Sequence, residues 1–197
     1  QRLRFQEGAW LDGLSGALWS TAMIERSRVE AAPSLERIVI GVDPAVTSGK
    51  DSDETGIVTA GRGADGHYYV LADASCRERP AGWAARVRDE YRRFRADRVV
   101  AEVNNGGDLV ETVLRSQELD LPFRQVRAMR GKIARAEPVA ALYEQGKVHH
   151  VGCFRELEEQ MTSFTPQTGT GSPDRLDALV WAMTVLMEPA SPRFIPA

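Results

Sequence analysis

The chain has 197 residues, and 25 lysines and arginines against 28 aspartates and glutamates give it a formal net charge of -3. This length suffices for one domain with a proper core and a short appendage, so two full domains are not expected. The charge excludes a globally basic nucleic-acid binder, and any nucleic-acid contact must depend on a local patch.

The first part of the chain, residues 1–34, differs in composition from the remainder. Tryptophans and leucines are spaced irregularly among glycines, and the stretch ends near Pro33. We interpret it as a linker with one or two short helices. Its aromatic side chains either pack back on the following domain or contact a neighbouring domain that is missing here. Because the first residue is Gln1, we expect the chain to be a piece of a longer protein.

Three strands in succession are predicted after this linker. Residues 37–43 form an apolar strand that ends in the carboxylate of Asp43, and residues 55–60 and 67–71 form a hairpin around several glycines. Large apolar residues at helical spacing then predict a helix over residues 81–95.

The next strand contains a second carboxylate, Glu102, within an apolar run. Residues 99–101 and 103 predict a strand that is buried on both faces, as in a parallel sheet. An ionised side chain in such a strand is strongly destabilising unless a cation or hydrogen-bond donors compensate for its burial. Residues 104–107 turn the chain into a helix at 107–117. Glu102 is therefore expected at the carboxyl end of a strand that feeds a helix, where α/β sites occur.

The remaining elements are short strands and helices that precede one longer helix. We predict strands at 122–126 and 148–151, helices at 133–145 and 154–161, and a polar loop at 165–172. In the last helix Ser172 is the predicted N-cap, Pro173 is the first helical residue, and Pro189 stops the helix. Asp174 and Asp177 share a face of its first turn because they are three residues apart.

Carboxylates thus stand at the ends of three separate elements: Asp43, Glu102, and Asp174 with Asp177. Each position has an ordinary alternative, since Asp43 also suits a turn after a strand and Asp174 suits the dipole at a helix start. Two like charges about 4 Å apart repel by about 4 kcal/mol at an effective dielectric of about 20, so a converging set needs cations. Mg²⁺ and Mn²⁺ prefer carboxylates and water, and no Cys/His set competes for them.

Five short motifs in this order carry a family resemblance. They are Gly-Val-Asp-Pro at 41–44, Asp-Glu-Thr-Gly-Ile at 53–57, Ala-Glu-Val-Asn-Asn-Gly-Gly-Asp at 101–108, Lys-Ile-Ala-Arg-Ala-Glu-Pro at 132–138, and Asp-Arg-Leu-Asp-Ala-Leu-Val-Trp-Ala at 174–182. Over residues 36–187 the chain resembles the C-terminal nuclease domain of tailed-phage large terminase subunits. The resemblance implies a ribonuclease H-like α/β fold: a mixed sheet of about five strands, the first three antiparallel and the rest parallel, flanked by helices. We therefore divide the chain into a linker at 1–34, a nuclease domain at 35–189 and a tail at 190–197.

The resemblance also implies an activity. Members of the family are endonucleases that cut concatemeric double-stranded phage DNA at the start and end of head filling. Asp43 and Glu102 match the first two metal-binding acids, and the third falls within residues 174–177, so both Asp174 and Asp177 are candidates. In the implied mechanism one of two Mg²⁺ or Mn²⁺ ions activates water for in-line attack, and the other stabilises the departing 3′ oxygen.

The implied partners are double-stranded DNA, a portal, a small terminase subunit and an N-terminal packaging ATPase domain. We expect that ATPase domain to be missing from this chain, because these 197 residues contain no G-x-x-x-x-G-K-[ST]. The implied location is the cytoplasm of the bacterial host and, transiently, the viral procapsid. No membrane contact is expected, because no apolar run approaches the roughly 20 residues that span a bilayer.

Cations in and before the fourth motif are the candidates for DNA phosphate contact, with solvated surface charge as the alternative. They are Arg124, Arg127, Arg130, Lys132 and Arg135. Asp53 is interpreted either as a supporting acid near the metals or as a partner in a loop hydrogen bond. Two other functions stay open: another ribonuclease H-like nuclease such as a junction resolvase, and a non-catalytic module that docks a motor on a portal.

Overall fold

The computed structural model describes residues 16–44, 54–103, 107–117, 121–165 and 173–189. Predictions for Asp53, for the Ser172 cap, for most of the loop at 165–172 and for the tail lie outside the described residues. No helix in the described ranges is long and apolar enough to cross a bilayer.

The described residues form a mixed sheet with helices on both faces. The strands are β1 (Arg28–Val29), β2 (Leu35–Asp43), β3 (Gly56–Gly63), β4 (Tyr68–Asp73), β5 (Arg98–Glu102), β6 (Phe123–Val126) and β7 (Val148–Val151). The helices are α1 (Thr21–Ser27), α2 (Pro80–Phe94), α3 (Gly107–Arg115), α4 (Lys132–Glu144), α5 (Arg155–Ser163) and α6 (Asp174–Met187). The predicted α/β class is confirmed.

The sheet has seven strands in the order β1-β7-β4-β3-β2-β5-β6. As predicted, β2, β3 and β4 are antiparallel neighbours, and β5 and β6 continue the sheet in parallel beyond β2. The predicted number of about five strands was too low. On the other side β7 pairs in parallel with β4, and β1 pairs in parallel with β7. A two-residue strand such as β1 carries no periodicity, so the sequence pattern could not reveal it.

Part of the stretch predicted as a linker packs on this sheet. Trp19 is fully buried, and its ring meets Tyr143 edge-on with ring centroids 6.1 Å apart. Ser20 caps α1 by accepting a hydrogen bond from the backbone N–H of Met23. Of the two alternatives for the aromatic residues, Trp19 fits the first and packs back on the domain. The domain limits themselves stay a prediction.

Two apolar clusters lie on opposite faces of the sheet. The first joins α4, α5 and α6 to one face, and the second joins α2 and α3 to the other. α6 is buried around nearly its whole circumference, which is typical of a helix in the centre of a domain. It begins at Asp174 with Pro173 as its N-cap residue, one position later than predicted. Pro173 has no side-chain donor or acceptor to cap the helix.

Two glycines let α6 lie directly on the central strands. A Cβ at Gly41 would stand 2.0 Å from the carbonyl oxygen of Ala178, and one at Gly56 would stand 1.9 Å from that of Asp174. Only glycine permits a helix backbone to approach a strand this closely. The two contacts fix the first turn of α6 beside the carboxyl end of β2.

Candidate active site

The acids at the ends of β2 and β5 lie at the same edge of the sheet. These strands are parallel neighbours in register, and Asp43 and Glu102 are their last residues. Val39 and Val100 face the apolar cluster that contains α6. Because side chains alternate along a strand, Asp43 lies on the same face as Val39, and Glu102 lies on the same face as Val100. Both acids therefore face α6.

The first turn of α6 brings two further acids to this edge. Asp43 pairs across the β2–β3 ladder with Gly56, over which the backbone of Asp174 lies. Asp174 is 9% exposed and Asp177 is 3% exposed. The structure thus brings together all four acids that the sequence predicted, and we call Asp43, Glu102, Asp174 and Asp177 the acid cluster.

The pKa of the Asp43 carboxyl is raised within the acid cluster. Burial, together with the neighbouring charges of Asp177, Glu102 and Asp174, raises the pKa of Asp43 to about 8, although Lys132 acts in the opposite direction. A carboxyl group retains its proton at neutral pH only where the surroundings disfavour its charge. Shifts of this kind occur frequently at functional sites, although ion-pair networks also produce them.

Two cations at the start of α4 contact the acid cluster. Lys132 Nζ donates a hydrogen bond to Asp177 Oδ2. Arg135 donates from Nη1 to Glu102 Oε2 at 3.1 Å, and its Nη2 lies 3.6 Å from Asp177 Oδ1. Burial raises the pKa of Asp177, and Lys132 and Arg135 oppose that shift. Arg135 therefore supplies part of the positive charge that offsets the buried charge of Glu102.

Trp181 is a member of the site that the sequence analysis missed. Its Nε1 donates to Glu102 Oε2 at 2.7 Å, and the guanidinium of Arg135 lies over its ring, 4.5 Å from the centroid. Trp181 comes four residues after Asp177 on α6, so the two share a helix face. That spacing was the signal that could have identified it. Trp181 and Arg135 together fix the orientation of the Glu102 carboxylate.

The acid cluster suits a hard divalent ion in the kind of ligand it offers, because Mg²⁺ and Mn²⁺ prefer carboxylate oxygens. The present side-chain positions do not form such a site: in the part of the chain that the structure describes, no three His, Cys, Asp or Glu side chains are placed to hold a metal ion. In this arrangement Lys132 and Arg135 of α4 contact oxygens of Asp177 and Glu102. Ion binding here requires these side chains to rearrange.

The cations predicted to contact DNA fall into three groups. Arg127 and Arg130 are exposed in the loop between β6 and α4. Lys132 and Arg135 instead contact the acid cluster, and Arg124 pairs with Glu188 at 2.5 Å. The exposed loop arginines are therefore the better candidates for phosphate contact.

Comparison with known proteins supplies independent information about this chain. A family model described as the terminase RNaseH-like domain matches residues 40–186. No match was found among curated proteins.

The fold is similar to solved structures of phage terminases. A large terminase from a thermophilic bacteriophage matches with a TM-score of 0.65 and 13% identity, over 92% of this chain and 47% of that chain. The HK97 bacteriophage large terminase matches with a TM-score of 0.66 and 14% identity, over 86% of this chain and 43% of that chain. This chain thus spans less than half the length of those two proteins.

A structure of the nuclease part alone matches along nearly its whole length. The large terminase nuclease of the thermophilic phage G20c has a TM-score of 0.59 and 15% identity, over 86% of this chain and 98% of that chain. Other structures of the G20c nuclease contain bound zinc and bound cobalt. At such low identity these similarities establish the fold.

Proposed function

This chain belongs to the family of terminase RNaseH-like domains. On that premise we propose that it is a metal-dependent nuclease domain that cuts concatemeric double-stranded DNA during viral genome packaging. The main support is the meeting of Asp43, Glu102, Asp174 and Asp177 from β2, β5 and α6 at one sheet edge. Oxygen ligands in this number suit Mg²⁺ or Mn²⁺. The zinc and cobalt in structures of the G20c nuclease are consistent with divalent ions at such a fold.

In this proposal each side chain of the site has a separate role. The acid cluster holds two Mg²⁺ or Mn²⁺ ions, which when bound supply an activated water and stabilise the departing 3′ oxygen. Before an ion binds, Arg135 and Trp181 keep the Glu102 carboxylate at the sheet edge through the contacts described above. Lys132 offsets the charge of Asp177. Arg127 and Arg130 contact DNA phosphates beside the site.

We also propose that the chain works as one part of a packaging motor. The large terminase of the thermophilic bacteriophage compared above, which is about twice as long as the matched region, has been solved with ADP and with ATP-γ-S. A packaging ATPase domain on the N-terminal side of this nuclease domain accords with that length. A portal and a small terminase subunit are the further expected partners, and the host cytoplasm and the procapsid are the expected places of action.

A plasmid-cleavage assay tests the proposed activity. We expect the full chain to cut supercoiled plasmid in Mn²⁺ or Mg²⁺ and to leave it intact in EDTA. Asp43→Asn and Glu102→Gln each keep the shape of the side chain and replace a carboxylate oxygen that a divalent ion would bind, and should slow cutting by at least about 100-fold, the loss typical for a charge-stabilising group. Glu144→Gln, which changes an exposed acid of α4 far from the cluster in sequence, is the control.

The same assay separates the alternatives. Full activity of either acid variant contradicts the assigned site, provided that circular dichroism shows both variants folded. Preferred cutting of four-way junctions over linear duplex supports a junction resolvase instead. Uncut plasmid together with no calorimetric binding of Mn²⁺ supports a docking module whose acids are structural.

A further inference from the structure

The start of α6 is capped by a residue from another helix. Its N-cap residue, Pro173, makes no side-chain cap. Instead Gln160 Oε1 of α5 accepts hydrogen bonds from the backbone N–H groups of Arg175 at 3.0 Å and Leu176 at 3.2 Å. The first amides of a helix lack partners within the helix, and Gln160 satisfies two of them. The first turn is thereby attached to α5.

Arg175 attaches the same turn to the sheet. Its Nε and Nη2 donate to the two carboxylate oxygens of Glu54 at 2.9 and 2.8 Å, and its Nη1 donates to Asp73 Oδ2 at 2.6 Å. The side chains of Arg175, Glu54 and Asp73 are only 13%, 14% and 4% exposed. Gln160 Nε2 also donates to Glu54 Oε2 at 3.4 Å, so both attachments meet at one carboxylate.

The Asp73 end of this attachment is itself rigid. Asp73 is the last residue of β4, and its Oδ1 accepts hydrogen bonds from the backbone N–H and the hydroxyl of Ser75. The Ser75 hydroxyl oxygen in turn accepts the backbone N–H of Ile57 on β3 at 2.9 Å. A bidentate guanidinium–carboxylate pair restricts orientation as well as distance, which a lysine at this position could not do. Arg175 therefore fixes α6 relative to two strands.

The first turn of α6 requires such attachments because of the charges it carries. Asp174 and Asp177 are favoured at a helix start by the helix dipole. They also lie beside Asp43, because the backbone of Asp174 lies over Gly56, the ladder partner of Asp43. Repulsion between unit charges a few ångströms apart exceeds the dipole contribution several-fold in a partly buried site. The bonds that Gln160, Glu54 and Asp73 make with this turn oppose that repulsion.

We propose that Arg175, assisted by Gln160, is a positioning residue that holds Asp174 and Asp177 in the acid cluster. Arg175 acts through the backbone of α6, because its guanidinium is bound by Glu54 and Asp73. The consequence for metal binding rests on the proposed nuclease function. The positioning itself requires no metal ion and can be measured without one.

Amide hydrogen exchange in the full chain without added metal tests the positioning. In Arg175→Gln and Gln160→Leu we expect the amides of residues 175–177 to exchange at least about 10-fold faster, with little change in β2 and β5. Arg175→Lys keeps the charge without the bidentate geometry, and we expect an intermediate rate. Arg155→Gln is the control, since this α5 arginine has an 83% exposed side chain and pairs with Glu159 four residues further along the same helix. Unchanged exchange at residues 175–177, or an equal increase throughout the chain, would overturn the proposal.

Calorimetric titration with Mn²⁺ tests the consequence for the site, at a temperature where circular dichroism shows every variant folded. We expect about tenfold weaker binding in Arg175→Gln, a smaller loss in Arg175→Lys and no change in Arg155→Gln. If Arg175→Gln binds Mn²⁺ as tightly as the unsubstituted chain, Arg175 has no role in the site, even where the amides of residues 175–177 exchange faster. If the unsubstituted chain binds no Mn²⁺, the proposed function fails, and the exchange rates alone decide whether Arg175 holds the turn.

Discussion

At the scale of single residues, the orientation of Glu102 depends on the indole N–H of Trp181. We expect Trp181→Phe to lower the free energy of unfolding by about 1.5–3 kcal/mol beyond the loss of packing, because a hydrogen bond to a buried charged group is lost. Trp19→Phe is a matched control, since Trp19 is fully buried and its Nε1 has no hydrogen-bond partner within the described residues. Urea denaturation of both variants measures the difference. An equal loss in Trp19→Phe would mean that the hydrogen bond contributes nothing.

The candidate acids were predictable from the sequence because each stands where a regular element begins or ends. Glu102 was conspicuous as a charge in an apolar strand, and Asp174 and Asp177 as two acids in one helical turn. Their partners were harder to predict, since the contact of Lys132 and Arg135 with the acids depends on how α4 lies against α6. A basic cluster in the sequence suggested DNA contact, which stays a prediction for these two cations, and the structure shows in addition that both contact buried carboxylates.

At the scale of elements, the close approach of α6 to β2 is decisive for the site. We expect Gly41→Ala to lower the free energy of unfolding by about 3 kcal/mol or more, at the upper end of overpacking costs, because the new Cβ would stand 2.0 Å from a helix carbonyl. Gly131→Ala is the control, since a Cβ there meets nothing within 4 Å. Thermal or urea unfolding measures both. A Gly41→Ala variant as stable as the control would contradict the described packing.

The loop between β6 and α4 carries the two exposed arginines proposed to contact DNA. If Arg127 and Arg130 each contact one phosphate, Arg127→Gln and Arg130→Gln should each reduce the slope of log K against log salt by about 1. Fluorescence anisotropy with a duplex at several salt concentrations measures this slope. Arg155→Gln, on the exposed face of α5, should leave it unchanged. Slopes equal to that of the unsubstituted chain would remove this loop from the DNA interface.

The strands at the two sides of the sheet differed in how far the sequence could predict them. β2 to β6 had apolar runs or alternation with turn residues between them, and the observed elements lie close to the predicted ranges. β1 and its place beside β7 depend on parallel pairing between segments more than a hundred residues apart, with Arg28 opposite His150. Local pattern carries no information about such a pairing, so the sheet was predicted too small.

At the scale of the whole molecule, a partly buried polar network joins the first described segment to the rest of the domain. Arg28 donates to Glu158 Oε1 at 3.0 Å, and His150 Nδ1 lies 2.9 Å from the same oxygen. The other ring nitrogen of His150 lies 2.7 Å from the Tyr143 hydroxyl. Burial alone would raise the pKa of the Glu158 carboxyl, but the hydrogen bonds from His150 and Arg28 prevail and lower it to about 2.

This lowered pKa predicts how stability depends on pH. Below the ordinary glutamate pKa the unfolded chain binds a proton that the folded chain does not, so the contribution of Glu158 is fully present above about pH 4.5 and is lost as pH falls toward about 2. We expect Glu158→Gln to lose less free energy of unfolding between pH 6 and pH 2 than the unsubstituted chain. The difference should be at most about 3 kcal/mol, since one pKa unit corresponds to about 1.4 kcal/mol. Urea denaturation between pH 2 and 6 measures it. Glu159→Gln is the control, since the Glu159 side chain is 65% exposed, and its free energy of unfolding should depend on pH as in the unsubstituted chain. If the free energy of unfolding of Glu158→Gln also falls with pH as in the unsubstituted chain, the prediction is wrong.

The proposed nuclease requires carboxylates from β2, β5 and α6 to bind divalent ions together. Calorimetric titration of the full chain with Mn²⁺ measures this most directly, with Asp43→Asn, Glu102→Gln and the Glu144→Gln control in parallel. We predict saturable binding in the millimolar range or tighter for the unsubstituted chain and the control, and its loss in both acid variants. No binding by the unsubstituted chain, or equal affinity in the acid variants, would contradict the proposed site.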